Sequence, residues 1–168
     1  GVITFNSAPD FETPLGGATD DSNTYEITVN VNDGTTDVVQ AHTVAVINAN
    51  EAPVITGGDT ATATFAENAT TTVIDVAHSD VDADAAITYS PTGSVDDAIF
   101  ELVAGTGVVT FKSAPDFETK LGGTGNDSNT YEITVNVNDG SVDVVQAHTI
   151  AVISVNAVSY THLTLPTT

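Results

Sequence analysis

The stretch DSNTYEITVNVNDG occupies residues 21–34, and the same letters return at residues 127–140. In the second copy Tyr131, Ile133, Val135 and Val137 alternate with Glu132, Thr134, Asn136 and Asn138. A period of two places the first set on one face of a strand and the second on the other, so one face is buried and one is wet. Asn138-Asp139-Gly140 then supplies the residue types that turn a hairpin. Working outward, SAPDFET at 7–13 returns at 113–119, and DVVQAHT at 37–43 returns at 143–149. Residues 1–50 and 107–156 are identical at about 39 of 50 positions, an internal repeat offset by 106. That period is too long for a solenoid and suits a domain that folds on its own.

The chain is therefore expected to hold tandem modules. Residues 1–51 form the C-terminal half of one module and 52–156 form a complete one. Residues 157–168 (AVSYTHLTLPTT) leave the repeat register and carry no acid. They are expected to be a non-native tail of the adapter read-through kind, outside the fold. With no initiator Met and no signal segment, the expectation is a segment internal to a larger protein.

Short segments rich in β-branched residues are separated by Gly, Pro, Asn and Asp clusters. In the complete module they predict strands near 54–56, 61–65, 72–76, 86–90, 99–103, 108–111, 130–136 and 145–153. No window has a helical period. The fold class is all-β, a Greek-key β-sandwich of the immunoglobulin-like kind. Residues 1–50 would supply the last three strands of such a sandwich without the strands that cover them, so weaker packing is expected there. His42 and His148 fall in phase with the apolar faces of their strands and are expected to be half-buried. For His78 a structural role is the expectation.

Composition narrows the function. The 168 residues carry 23 acidic side chains against two basic ones, a net charge of −21. Such a chain repels phosphate backbones and anionic lipid surfaces, so nucleic-acid binding is not expected, and with no apolar run near 18 residues membrane insertion is not expected either. With no cysteine there is no disulfide, thiol nucleophile or thiolate metal site. No Ser–His–Asp set or phosphate-binding glycine loop is present. A carboxylate pair acting as a glycosidase would need a cleft that a sandwich of this size has little room for. The Asp-x-Asp of metal-dependent glycosyl transfer needs a nucleotide-binding βαβ unit. The expectation is a protein that is not an enzyme.

The acids cluster. Asp10 and Glu12 recur as Asp116 and Glu118; Asp80, Asp82 and Asp84 alternate; Glu67 follows the second strand; Asp139 sits in a turn; Asn48, Asn50 and Glu51 lie in the link between modules. In extended backbone, side chains at i and i+2 point the same way, so the alternating triple is expected to converge. A hard cation such as Ca²⁺ takes 6–8 oxygens from carboxylates, amides and carbonyls, and relieves repulsion among clustered acids.

These motifs together resemble a bacterial cadherin-like repeat. Glu67-Asn68 resembles that family's EN after an early strand. Asp80-Val81-Asp82 ahead of Ile87-Thr88-Tyr89-Ser90 resembles its DxD before a TYS strand. Asp116-Phe117-Glu118 resembles its DRE, Asp139-Gly140 its hairpin DG, and Asn48-Ala49-Asn50-Glu51-Ala52-Pro53 its DxNEAP link. The resemblance implies a calcium site at a module junction. Asp10 and Glu12 would come from the first module, Asn48, Asn50 and Glu51 from the link, and Asp80, Asp82, Asp84 and Asp139 from the second. Glu67, Asp116 and Glu118 would serve the next junction. Asn48 stands where the family has Asp, and Phe117 where it has Arg, which implies weaker binding and fewer ions. The implied function is a calcium-rigidified spacer of a large secreted cell-surface adhesin, acting outside the cell. Its partners would be neighbouring modules and other surface proteins or glycans. The alternative is a metal-independent immunoglobulin-like module that binds carbohydrate or protein at its loop tips.

Overall fold

The computed structural model describes residues 1–15, 23–82, 86–122 and 128–155. It divides into two compact units: unit 1 is Gly1–Glu51 with Val81–Ala83, and unit 2 is Ala52–Asp80 with Asp84–Thr168. The tail at 157–168, Asp84, and the loop glycines Gly16, Gly17 and Gly123 lie outside the described residues.

Unit 1 contains one antiparallel hairpin, β1 (Thr24–Asn32) and β2 (Asp37–Ala45), in which Ile27 pairs with His42 and Tyr25 with Val44. Local polar chemistry sets its turn. Asp33 Oδ1 accepts the backbone N–H of Thr35 and Thr36, both at 2.8 Å, while Asn30 and Asn32 donate to Asp37 at 2.9 and 2.6 Å.

Unit 2 holds the remaining strands. They are β3 (Val54–Ile55), β4 (Thr60–Ala66), β5 (Ile74–Asp75), β6 (His78–Ser79), β7 (Thr88–Pro91), β8 (Phe100–Leu102), β9 (Val108–Phe111), β10 (Thr130–Asn138) and β11 (Asp143–Ile153). One sheet runs β4-β11-β10-β7, with β4 parallel to β11 and the other pairs antiparallel; a second runs β5-β9-β8, and β3 pairs with β6. The layers meet in a core of Ile55, Phe65, Val76, Phe100, Val109, Phe111, Tyr131, Ile133, Val135 and Ile150. Phe111 bridges them, with its ring 4.7 Å from Phe100, 5.3 Å from Phe65 and 5.5 Å from Tyr131. This is the all-β sandwich that the sequence predicts. Two short elements were not predicted: the two-residue strand β6 and a 3₁₀ turn at Asp97–Ile99. Each is too short to leave a periodic signal.

The repeated sequence does not give a repeated structure throughout. The hairpin recurs pair for pair, Ile133 with His148 and Tyr131 with Ile150. The third strand expected in residues 1–50 is absent, because residues 2–5 have no strand pairing whereas their counterparts 108–111 form β9. The difference lies in the partners: β9 is hydrogen-bonded between β5 and β8, and among the described residues of unit 1 no strand pairs with 2–5. The same difference governs packing. Ile133 is 1% exposed, while its counterpart Ile27 is 38% exposed. His148 is buried and His42 exposed, so neither is half-buried as the strand phase suggested.

Candidate metal centre

The DFE turn is built locally, and identically, in both units. Asp10 Oδ1 accepts the N–H groups of Glu12 and Thr13, both at 3.0 Å; Asp116 Oδ1 does the same for Glu118 and Thr119 at 2.9 and 3.0 Å. An Asp that binds the backbone two and three residues on makes a turn from its own side chain. The turn is then anchored to the hairpin. Asn23 donates to the Phe11 carbonyl, and Leu15 N–H to Tyr25 Oη; Asn129 and Tyr131 repeat both contacts in unit 2. The glutamate two residues after the Asp has its backbone N–H fixed by this frame.

Around that glutamate other carboxylates gather. Among the described residues, Glu12, Glu51 and Asp82 in unit 1 each place an oxygen within 4.8 Å of the others, and Glu67, Asp116 and Glu118 do so in unit 2. Oxygens on opposite sides of one calcium, at 2.3–2.6 Å from it, stand about 5 Å apart, so each group has a spacing that one ion spans.

In unit 1 the group is laced by the link. Asn48 Nδ2 donates to Asp82 Oδ1 at 2.7 Å, Glu51 N–H to Asp82 Oδ2 at 3.0 Å, and Asn50 Nδ2 to the Glu51 carbonyl at 2.8 Å. In unit 2 Glu67 is only 6% exposed and is held by backbone from two distant segments. Its Oε2 accepts Phe117 N–H at 3.0 Å; its Oε1 accepts Val155 N–H at 2.6 Å and the Ser154 hydroxyl at 3.1 Å. One carboxylate thus ties the end of β4 to the DFE turn and to the end of β11.

Titration follows these contacts. Glu67 is held below the usual glutamate range, first by the Phe117 N–H and then by that of Val155. Asp116 is lowered chiefly by the Thr119 N–H. Glu118 is pushed up, by desolvation first and by the charge of Glu67 second. Glu51 rises for the same reasons, desolvation first, then the charges of Glu12, Asp82 and Asp10. Lys112 is engaged elsewhere, its Nζ donating to the Ala98 carbonyl at 2.8 Å.

The acids singled out in the sequence therefore divide. Glu12, Glu51 and Asp82 meet, and so do Glu67, Asp116 and Glu118. Asp10, Asp80 and Asp139 belong to neither group of three, and Asp84, the last of the alternating triple, lies outside the described residues. Asp139 is 7% exposed and caps its own turn, accepting Ser141 and Val142 N–H at 2.6 Å. Ser154 and the Val155 N–H that help fix Glu67 had no signal in the sequence, because they arrive through the pairing of β11 with β4.

The fold is that of cadherin extracellular domains. A structure of protocadherin gamma B7 extracellular cadherin domains 1–4 matches over 79% of this chain at 25% identity, with a TM-score of 0.63. Mouse clustered PcdhgC3 EC1-3 matches over 89% at 23% identity and a TM-score of 0.59. Mouse cadherin-23 EC22-24 matches over 79% at 20% identity and a TM-score of 0.60. The chain spans 32%, 46% and 43% of those chains. No family model matches the sequence, and no curated protein does. The chain thus has a cadherin-like fold.

Proposed function

We propose that this chain is a calcium-binding spacer in a large secreted surface protein that mediates cell adhesion. In this reading 1–51 is the C-terminal half of one module, 52–156 is a complete module, and 157–168 plays no part. The observation that carries it is the twofold use of the DFE turn: in each unit its glutamate is held within 4.8 Å of two other carboxylates. The fold match to tandem extracellular cadherin domains supports the same reading. Glu12, Glu51 and Asp82 would hold one ion, with Asp10, Asn48, Asn50, Asp80 and Asp139 nearby in sequence motifs of the same kind. Glu67, Asp116 and Glu118 would hold a second. Without the ion the carboxylates repel and the link bends freely; with it, oxygens from link and module share one charge centre and the angle is fixed.

Extracellular modules bind calcium with dissociation constants of about 10⁻⁴–10⁻³ M. At ~10 mM Ca²⁺ this stabilises the folded state by about 1.4–2.7 kcal/mol per site, which raises the melting temperature of a domain near 100 residues by roughly 6–20 °C. Calorimetry in Ca²⁺ and in chelator measures it. An unchanged melting temperature, with no heat of Ca²⁺ binding, rejects the proposal.

A further inference from the structure

We propose that residues 92–97 are a strap that closes the side of β10 facing β7, and that with the strap disabled this edge pairs with the TYEITVNVN strand of a second copy of this chain. β7 pairs with β10 only at Val135, Asn136, Val137 and Asn138. Among the described residues no strand pairs with 130–134 on this side. Such a stretch is a sheet edge, a row of backbone groups that another chain can join. Here three alternate N–H groups are each taken by a side chain instead. Thr134 N–H donates to Ser94 Oγ at 2.8 Å, Glu132 N–H to Asp96 Oδ2 at 2.8 Å, and Thr130 N–H to Ser128 Oγ at 2.9 Å. The Thr134 carbonyl accepts the Thr92 N–H at 3.1 Å.

Thr92, Ser94 and Asp96 thus meet β10 with the period of a strand, but two of the three do so through side chains. Asp96 is 4% exposed, and the intervening Val95 is 76% exposed. The strap's own backbone is bound within its turn. Gly93 N–H goes to Asp97 Oδ2 at 2.7 Å, Asp97 N–H to the Ser94 carbonyl at 3.3 Å and Ile99 N–H to the Asp96 carbonyl at 3.0 Å. Gly93 makes the corner at φ +91°, a conformation that favours glycine. A regular strand in this place would satisfy β10 and pass on a new edge; the strap satisfies β10 and ends the sheet. β7 is closed by other means. Its Tyr89 N–H donates to the Ala104 carbonyl at 2.9 Å, and Pro91 has no N–H to offer.

The sequence names the partner that this closure keeps out. TYEITVNVN stands at Thr24–Asn32 and at Thr130–Asn138 and folds as a strand each time. It is rich in β-branched residues, has a single charge and has no proline or glycine. Segments of that composition pair with their own kind wherever an edge is open. A second copy always carries such a strand, and in antiparallel pairing it offers acceptors to the N–H groups that Ser94 and Asp96 now occupy.

The test compares the ¹⁵N-labelled full chain with its Ser94→Ala/Asp96→Ala variant in ~0.5 M salt, which screens repulsion between chains. In dilute solution the Glu132 and Thr134 amides of the variant should exchange roughly tenfold to a hundredfold faster, because each loses its acceptor. The amides of β11 should hold. As the variant is concentrated, Glu132 and Thr134 should regain protection, and the unlabelled peptide TYEITVNVN should protect them in the same way. Wild type should respond to neither. Ser94→Thr/Asp96→Asn keeps an acceptor at both places and should behave as wild type. Ser94→Ala alone should speed Thr134 more than Glu132, which gives a readout if the double variant fails to fold. Unchanged exchange at Thr134 in Ser94→Ala overturns the proposal. So does fast exchange in the double variant that neither concentration nor peptide slows, or pairing by Ser94→Thr/Asp96→Asn equal to that of the double alanine.

Discussion

Replacing Gly107 by alanine tests the packing of unit 2 against a control built into the chain. Gly107 sits at φ +74°, and a Cβ there would lie 2.7 Å from Tyr89 Cε1, 2.8 Å from the Val76 carbonyl oxygen and 2.9 Å from Tyr89 Cζ. The Val76 oxygen is backbone and cannot swing away, because Val76 N–H donates to the Gly107 carbonyl at 3.2 Å. Tyr89 is 5% exposed, and its hydroxyl lies 2.5 Å from His78 Nδ1, so moving the ring gives up that bond. A left-handed conformation costs an alanine about 1 kcal/mol, and overpacking a filled core adds about 1–3 kcal/mol. The sum, roughly 2–4 kcal/mol, lowers the melting temperature of a domain near 100 residues by about 10–25 °C. Gly1 is the repeat counterpart, and a Cβ there meets nothing within 4 Å. Gly1→Ala should fall within ~0.5 kcal/mol of wild type. Calorimetry on the two variants, with amide exchange followed at Tyr131, Ile133 and Ile150, separates the outcomes. A Gly107→Ala melting temperature within about 2 °C of wild type would refute the reasoning. So would equal losses in both variants.

Other expectations follow from the acids and the histidine. Glu118→Gln should have opposite effects in two buffers: a higher melting temperature in chelator, where it removes repulsion from Glu67, and a smaller calcium-induced rise. A matched fall in both buffers would mean that the carboxylate serves packing only. Glu67 and Asp116 are held below their ordinary range, so their stabilisation is present above the unfolded values of 4.5 and 3.8 and is lost as pH falls through the lower folded ones. Glu118 and Glu51 are raised, so in calcium-free buffer stability should decline as pH climbs from 4.5 through their folded values. Urea melts across pH 3–7 in chelator, on wild type and on Glu118→Gln, resolve the two trends. Burial lowers His148, whose Nε2 has no hydrogen-bond partner. The unfolded chain then binds the extra proton, so stability should drop as pH falls below 6.5, and His148→Leu should remove that drop. Persistence of the drop in His148→Leu would assign it elsewhere.

How much was legible in the sequence depends on how far each feature reaches along the chain. The hairpin, its Asx-type turns and the DFE turn are closed by residues a few positions apart, and they recur unchanged in unit 1, where the described residues show one two-stranded sheet. Period-two alternation and the 106-residue repeat were sufficient for these. The groups of carboxylates needed the fold. Glu67 meets Phe117 across 50 residues and Val155 across 88, and Asn48 meets Asp82 across 34. Reading i and i+2 as parallel put Asp80 beside Asp82, but it could not say which of them faces Glu12 and Glu51.

VITF at 2–5 and VVTF at 108–111 draw the line most clearly. The letters by themselves determined a β-prone apolar segment, an acidic chain without thiols, and a module that repeats. Only the tertiary structure decided that one copy is a buried central strand and the other is unpaired backbone. The physical reason is that a strand completes its backbone hydrogen bonds on its neighbours. Here the neighbours are β8 (Phe100–Leu102), which directly precedes β9, and β5 (Ile74–Asp75), which lies further back, and among the described residues only the second copy is paired with such strands.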